Sequence, residues 1–526
     1  MKKDDKIWAA VNDAGEDLFL LPRMANRHGL IAGATGTGKT VTARVLAESF
    51  SDMGVPVFMA DVKGDLAGIM APGTDSEDMQ KRIQRFGLAD TGFTYTGYPV
   101  ALWDIYGEKG MPLRTTVSEM GPLLMARILQ LNDLQSDILS VVFRIADDNN
   151  LLLIDIKDLK AMLNYVQEHA KEYAEQYGRM SSASIGVILR ALVALEGQGG
   201  DMFFGETALN ISDWMQTYDG KGMINILDSV SLFNTNGKLY STFLLWFLSE
   251  LFEMMPEVGD LPRPKMVFFF DEAHLLFKDA SKDLLDKIEQ VVKLIRSRGI
   301  GIYFCTQNPR DIPDAVLAQL GNRVQHALRA YTPADQKAVR AAAQSFRENP
   351  SFNTVETLQA LGTGEALISF LGDDGIPQIV QKAYILPPQS RMGTITDVER
   401  DQAVKGHILY GKYSRAYDPE SAYEILQRLG IEAAAAAEKA KEEAEKQKLL
   451  EREQREAEKA AEREAIKAEN AKKRAAKSVG STVAGTVGRE AGKTVGGLFG
   501  GKFGKTIGGN LGASLGRGII GTLFKN

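Results

Sequence analysis

The sequence holds one cysteine, Cys305, so no disulfide can form within the chain, and such usage fits a reducing compartment. Cys305 ends the apolar run Gly301-Ile302-Tyr303-Phe304-Cys305, where a buried strand thiol is expected to be inert rather than nucleophilic. No uncharged apolar run is long enough to span a bilayer as a simple helix, and the opening Met1-Lys2-Lys3-Asp4-Asp5-Lys6 lacks the apolar stretch of a signal peptide. The expectation is a cytoplasmic protein. An excess of positive charge is missing too: 62 Lys and Arg stand against 68 Asp and Glu, a net charge of −6. That argues against coating nucleic acid over the whole surface and leaves room for a local basic channel. Otherwise the composition is that of a globular protein, 44% hydrophobic and 25% charged over 526 residues, enough for several domains.

What is present centres on Gly33-Ala34-Thr35-Gly36-Thr37-Gly38-Lys39-Thr40, a complete G-x-x-x-x-G-K-[ST] phosphate loop. It follows the apolar His28-Gly29-Leu30-Ile31-Ala32 and leads into Val41-Thr42-Ala43-Arg44-Val45-Leu46-Ala47, which has helical spacing. Glycines let the backbone curl until successive N–H groups face the β-phosphate, and the helix N-terminus adds partial positive charge. The candidate nucleotide-binding residues are Gly33, Ala34, Thr35, Gly36, Thr37, Gly38, Lys39, Thr40 and Val41. Lys39 is expected to reach the β- and γ-phosphates of ATP, and the Thr40 hydroxyl to bind Mg²⁺.

Further along, Lys265-Met266-Val267-Phe268-Phe269-Phe270 reads as a buried strand closed by Asp271 and Glu272. Asp271 is placed to hold Mg²⁺ through water, and Glu272 to orient or deprotonate the attacking water. Gln307, closing the next apolar strand, either reads the γ-phosphate or merely caps the strand. The letters Asp271-Glu272-Ala273-His274 also occur in two-lobed helicases, but no second lobe is evident, so His274 reads as a structural or interface residue. A positive group for the γ-phosphoryl is expected from a neighbouring subunit, with Arg296, Arg298 and Arg323 as candidates.

Other stretches are less decisive. Val55-Pro56-Val57-Phe58-Met59-Ala60 ends in Asp61-Val62-Lys63-Gly64-Asp65, either acids near the metal shell or a neighbouring subunit, or a solvated turn. Residues 105–222 are mostly helical in pattern and read as an insertion after the second strand. Within them Phe203-Phe204 either packs in a core or stacks on bases. Thr332-Pro333 starts a helix, and Ala366–Leu371 with Gln378–Ile385 reads as a hairpin across Gly372-Asp373-Asp374-Gly375. Residues 432–477 are nearly all Ala, Glu, Lys, Arg and Gln, a solvated helix or a coiled coil. From Ser478 glycine recurs every four residues, from Gly488 to Gly516, beside an apolar ridge interrupted by Arg489, Lys493, Lys502, Lys505 and Arg517. That tail would bind an anionic membrane surface, self-associate or stay disordered.

Four stretches together resemble the HerA-like branch of the HerA/FtsK ATPase superfamily, and within it the bacterial YjgR-like proteins. They are Asn26 through Thr40, Asp61 through Asp65, Phe270 through His274, and Thr306-Gln307-Asn308-Pro309. The resemblance covers roughly residues 15 to 425. It implies an α/β fold, a RecA-like P-loop NTPase core with a helical insertion, usually assembled as a hexameric ring with ATP between subunits. It implies Lys39, Glu272, Gln307 and Arg296 as catalytic residues, Thr40 and Asp271 as Mg²⁺ ligands, and Arg296, three residues before Gly299, as the arginine acting in trans. The implied layout is a core in two parts, residues 1–104 and 223–425, around an insertion at 105–222, then a charged helix at 426–477 and a glycine-rich tail at 478–526. Some thirty residues precede the loop, too few for a nuclease-docking barrel, so a nuclease partner is doubtful. The expected function is an ATP-hydrolysing ring motor, a DNA translocase or helicase. The alternative is a membrane-associated ATPase of the conjugation or secretion type, peripheral at the inner membrane through its tail; a third reading is a nucleotide-gated assembly protein.

Overall fold

The computed structural model describes residues 1–476 except Asp279 and Ser281. Two compact units are present, Met1–Ala422 and a second beginning at Tyr423. The first is built on a 13-stranded sheet. Its main strands are β1 (Lys6–Asn12), β2 (Gly29–Ala32), β3 (Val57–Asp61), β4 (Val100–Asp104), β5 (Ile224–Asp228), β6 (Met266–Phe270), β7 (Ile300–Thr306), β8 (Asn322–His326), β9 (Glu365–Ser369) and β10 (Gln381–Ile385). Across the sheet they lie in the order β1, β10, β9, β8, β2, β7, β6, β3, β5, β4.

From β8 to β4 every pairing is parallel, and from β8 to β1 every pairing is antiparallel. The central parallel strands β2, β3, β6 and β7 are largely apolar runs because both faces are covered. On one face Phe269 and Tyr303 pack beneath Phe50 of α1 (Lys39–Asp52), with ring centroids 6.4 and 6.2 Å from it. On the other, Phe268 lies 5.2 Å from Phe247 of the Val230–Met254 helix, and Phe58 stacks on Trp214 at 4.9 Å. Neighbouring residues of β6 thus serve opposite layers, the period-2 rule of a strand.

Where its residues are described, the chain follows the sequence reading in several places. β9 and β10 form the expected hairpin, pairing Glu365 with Tyr384. The helix Pro333–Gln344 starts with proline in its first turn and a reciprocal cap between Thr332 and Asp335. Helices Val117–Ile128, Asp133–Asp148, Ile156–Glu168 and Ser182–Leu195 fill much of residues 105–222. They follow β4 rather than β3, because Val100–Asp104 is itself a sheet strand, so the helical stretch starts one strand later than its pattern suggested. Phe203 and Phe204 are 0% and 2% exposed and pack edge-on at 4.9 Å, so this pair is core and offers no ring to a base.

A helix, Ala422–Ala476, runs for 55 residues and makes up the described part of the second unit from Tyr423 on. Opposite charges one turn apart meet on it, as Arg452 does with Glu456 at 3.3 Å. The glycine-rich tail and its expected membrane contact or self-association lie outside the described residues. No single helix among the described residues is long and apolar enough to cross a membrane.

Candidate active site

The phosphate loop joins β2 to α1, and its glycines are required where the chain turns back. Gly33 has φ 151°, and a Cβ there would fall 2.5 Å from Cβ of His326. Gly38 has φ 120° and lies against the same imidazole. His326, at the end of β8, is the buttress of the loop. The Glu365 carbonyl accepts from Nδ1 at 3.0 Å, which leaves Nε2 to accept the Thr42 hydroxyl at 2.8 Å. Burial pushes the pKa of His326 down to about 4, so the ring is neutral near pH 7.

Lys39, 5% exposed, curls over the loop and donates from Nζ to the carbonyls of Gly33 at 2.6 Å and Ala34 at 3.2 Å. Its pKa is lowered by burial and then by the neighbouring Lys63. Thr35 and Gly36 at the tip are exposed, while Thr37 is buried and donates to the Ala34 carbonyl at 2.7 Å. Thr40 and Val41 stand half-buried in the first turn of α1.

Two strands away, β6 delivers Asp271 and Glu272. Glu272 takes φ 49°, a left-handed conformation that a glutamate seldom adopts, and it is 8% exposed. Gln307, just past β7, donates from Nε2 to Glu272 Oε1 at 3.2 Å. The other carboxylate oxygen, Oε2, lies 3.3 Å from Nδ1 of His274 and has no hydrogen bond among the described residues. Burial raises the Asp271 pKa to about 6, with Lys63 opposing the shift and Glu272 adding to it. A cavity of about 20 Å³ lies among Thr40, Asp61, Asp65, Asp271 and Cys305.

The remaining candidates divide. Asp61 is 3% exposed and closes its own turn, accepting the backbone N–H of Gly64 at 2.7 Å and of Leu66 at 2.9 Å, so the solvated-turn reading fails for it. Cys305 is buried, with its pKa well above the usual thiol value, as expected of an inert thiol. Among the arginines, Arg323 donates to the carbonyls of Leu317, Leu320 and Ser345, and Arg298 to that of Met255 while lying over Phe252 at 4.4 Å. Both hold the fold together. Arg296 pairs through its guanidinium with the exposed Asp260, at 3.5 Å. It precedes β7, so it sits at the amino end of a seven-residue strand whose carboxyl end carries Gln307. A strand of that length spans roughly 20 Å, so Arg296 is remote from its own chain's phosphate loop.

Lys39, Thr40, Asp271, Glu272 and Gln307 are thus gathered at the carboxyl ends of β2, β6 and β7, and Arg296 is not. His326 and Lys63 escaped the sequence reading as site residues. A signal was available for each: a histidine ending the strand beside the loop strand, and a lysine inside the acidic turn after β3.

A phosphate loop between a buried strand and a helix, with acids at the tip of a parallel strand beyond its neighbour, defines a RecA-like P-loop ATPase fold. The chain belongs to the family described as "Helicase HerA-like C-terminal", whose model matches residues 7–506. It is similar to the probable helicase MJECL08 of Methanocaldococcus jannaschii, 29% identical over 23% of this chain and 22% of that protein. It is also similar to the DNA double-strand break repair helicase HerA of Saccharolobus solfataricus, 22% identical over 65% of this chain and 61% of the relative. The chain therefore spans about a fifth of the first relative's length and three fifths of the second's. Among solved structures, the plasmid coupling protein TrwB in complex with the non-hydrolysable GTP analogue GDPNP shares the fold. The TM-score is 0.50 at 15% identity, over 75% of this chain and 91% of TrwB.

Proposed function

We propose that this chain is an ATP-driven motor that assembles as a ring, a hexamer, and translocates or unwinds DNA. The observation that carries the reading is the meeting of Glu272 and Gln307 at the carboxyl ends of strands beside the loop that holds Lys39. In this reading residues 33–41 cradle the phosphates of ATP, and Lys39 leaves the loop carbonyls for the β- and γ-phosphates. Glu272 orients the attacking water and takes its proton, while the γ-phosphoryl passes to that water and ADP leaves. Gln307, bonded to Glu272, reports the γ-phosphate.

Mg²⁺ fits the oxygen donors present, the Thr40 hydroxyl and the Asp271 carboxylate beside the small cavity. No cluster of three or more His, Cys, Asp or Glu able to hold a metal occurs among the described residues, as suits an ion held mainly by the substrate's own phosphates. When bound, the ion offsets charge on the β- and γ-oxygens. Arg296, remote from its own loop and lightly paired, supplies the trans-acting charge to the next subunit. The core is assigned to residues 1–104 and 223–425, with 105–222 as its insertion. DNA as the polymer is supported by the similarity to HerA, a DNA double-strand break repair helicase.

The test is ATP hydrolysis with and without duplex DNA at two salt concentrations, with particle imaging of the nucleotide-bound protein. Stimulation by DNA that falls steeply with salt, on ring-shaped particles, is the expected result. Hydrolysis that no DNA changes would overturn the DNA motor. The alternative, a membrane-associated ATPase acting on protein or an assembly, rests on residues 478–526, outside those described, and would appear as liposome binding lost on deleting them.

A further inference from the structure

The phosphate loop has two flanks. On one side of β2 lie β7 and β6 with Gln307, Asp271 and Glu272; on the other lie β8, β9 and β10. A nucleotide whose γ-phosphate meets the acids on the first flank has its base end directed away from them. On the second flank a cavity of about 480 Å³ opens between α2 (Glu77–Arg85), the Gly362–Glu365 segment and Tyr384 of β10. That volume lies in the range of sites for small organic ligands, roughly 300–1,000 Å³.

The cavity wall is continuous with the loop. Gly364 N–H donates to the Thr37 carbonyl at 3.0 Å, and the Gly364 carbonyl accepts from Ile385 at 2.9 Å. Gly364 has φ 82°, and a Cβ there would stand 3.3 Å from Nη1 of Arg82. The Arg85 guanidinium lies over the Tyr384 ring at 4.6 Å, with Lys382 Nζ 5.7 Å from the same ring. Tyr384 and Ile83 pack against the same hydrophobic core as Val41 in the first turn of α1. Guanidinium and aromatic planes are the surfaces on which nucleobases stack. The carboxylate of Glu365 is already engaged by Gly362 N–H at 2.7 Å and by Lys382 at 3.7 Å, so it does not repel a nucleotide as a free charge would.

We propose that this cavity binds the base and ribose of the nucleotide whose phosphates occupy the loop. Arg85 backed by Tyr384 is the stacking surface, and Arg82, with Lys81 paired to the exposed Asp78 at 3.8 Å, forms the rim toward the ribose and α-phosphate. The proposal rests on the phosphate-loop reading, and its test separates the two. Calorimetry on the full chain would compare a magnesium-loaded non-hydrolysable ATP analogue with magnesium tripolyphosphate, which has no base. Arg85→Ala and Tyr384→Ala are each expected to weaken the analogue roughly tenfold and leave tripolyphosphate unchanged. Lys39→Ala is expected to weaken both ligands.

Arg85 is exposed, so its variant leaves the fold intact; thermal melting checks the Tyr384 variant. Analogue affinity unchanged in both variants, or an equal loss for the two ligands, overturns the base pocket. Parental affinity for both ligands in Lys39→Ala overturns the phosphate-loop reading instead.

Discussion

His28 at the amino end of the parallel sheet and Glu272 at its carboxyl end are held in opposite ways. At the amino end His28, 2% exposed, uses both nitrogens: Ile302 N–H donates to Nδ1 at 3.1 Å, and Nε2 donates to the Val292 carbonyl at 2.8 Å. Asn322 beside it donates to the carbonyls of Met24 and His28, both at 3.0 Å, and accepts from Leu371. At the carboxyl end Glu272 keeps a buried oxygen with no hydrogen bond among the described residues, and desolvation holds the Asp271 pKa near 6. Satisfied groups stabilise one arrangement, whereas incompletely satisfied ones stay available to a ligand, at the expense of stability. His28 and Asn322 are therefore held for the fold, and Glu272 is left available for chemistry.

Arg296 is the exception that tests this contrast hardest, since it stands at the amino end yet is assigned to chemistry. Arg296→Ala should lower hydrolysis by about 10³-fold or more while nucleotide binding and melting temperature stay near parental values. Mixed with Glu272→Gln chains it should regain part of the rate if the arginine acts between subunits. A rate that falls only in proportion to stability would return Arg296 to the structural end. Glu272→Gln should cut turnover roughly 10²- to 10⁴-fold with nucleotide still bound. Its melting temperature should not fall, because the amide removes a buried charge; marked destabilisation would show that Glu272 holds the fold rather than the reaction.

The amino end should show itself in stability against pH. Burial lowers the pKa of His28 from 6.5 to about 4, so the unfolded chain binds the extra proton between those values. His28 stabilises fully above pH 6.5, and this contribution is lost as pH falls toward 4, up to about 3 kcal/mol. His326 acts in the same window. His28→Asn, a residue type that tolerates the local φ of 55°, should lower stability near pH 7 and flatten this part of the profile. Denaturant titrations at pH 4.5 and 7 would measure it, and parallel parent and variant profiles would remove His28 from the account. Smallest of all, Arg452→Ala on the long helix should change stability by less than about 0.5 kcal/mol, since it breaks one exposed pair.

Features set by local rules could be read from the sequence. The loop's glycines, the acids after Phe270, the Thr332 cap and the β9–β10 hairpin each depend on residues a few positions apart. Features set by sheet order could not. Val100–Asp104 is a short strand flanked by turns, and only its pairing with β5 reveals it. β1 joins β10 across more than 370 residues, as in Ala10 with Ile385, and nothing in Lys6–Asn12 names that partner. His326 reaches the loop because β8 lies beside β2, and the carbonyls that engage Arg298 and Arg323 come together only in the fold.

The strand β2 is four residues long, with Gly33 of the nucleotide cradle at one end and His28 at the other. His28 grips Val292, and Asn26 bonds the carbonyl of Arg296 at 3.4 Å. In a ring where each subunit's Arg296 serves its neighbour, the arginine a subunit presents and the cradle it keeps are fastened to opposite tips of one short stiff bar. A tilt imposed at one nucleotide interface would reach the next as a rigid displacement rather than a diffuse strain. That is the mechanical property by which adjacent sites in such a ring could fire in turn.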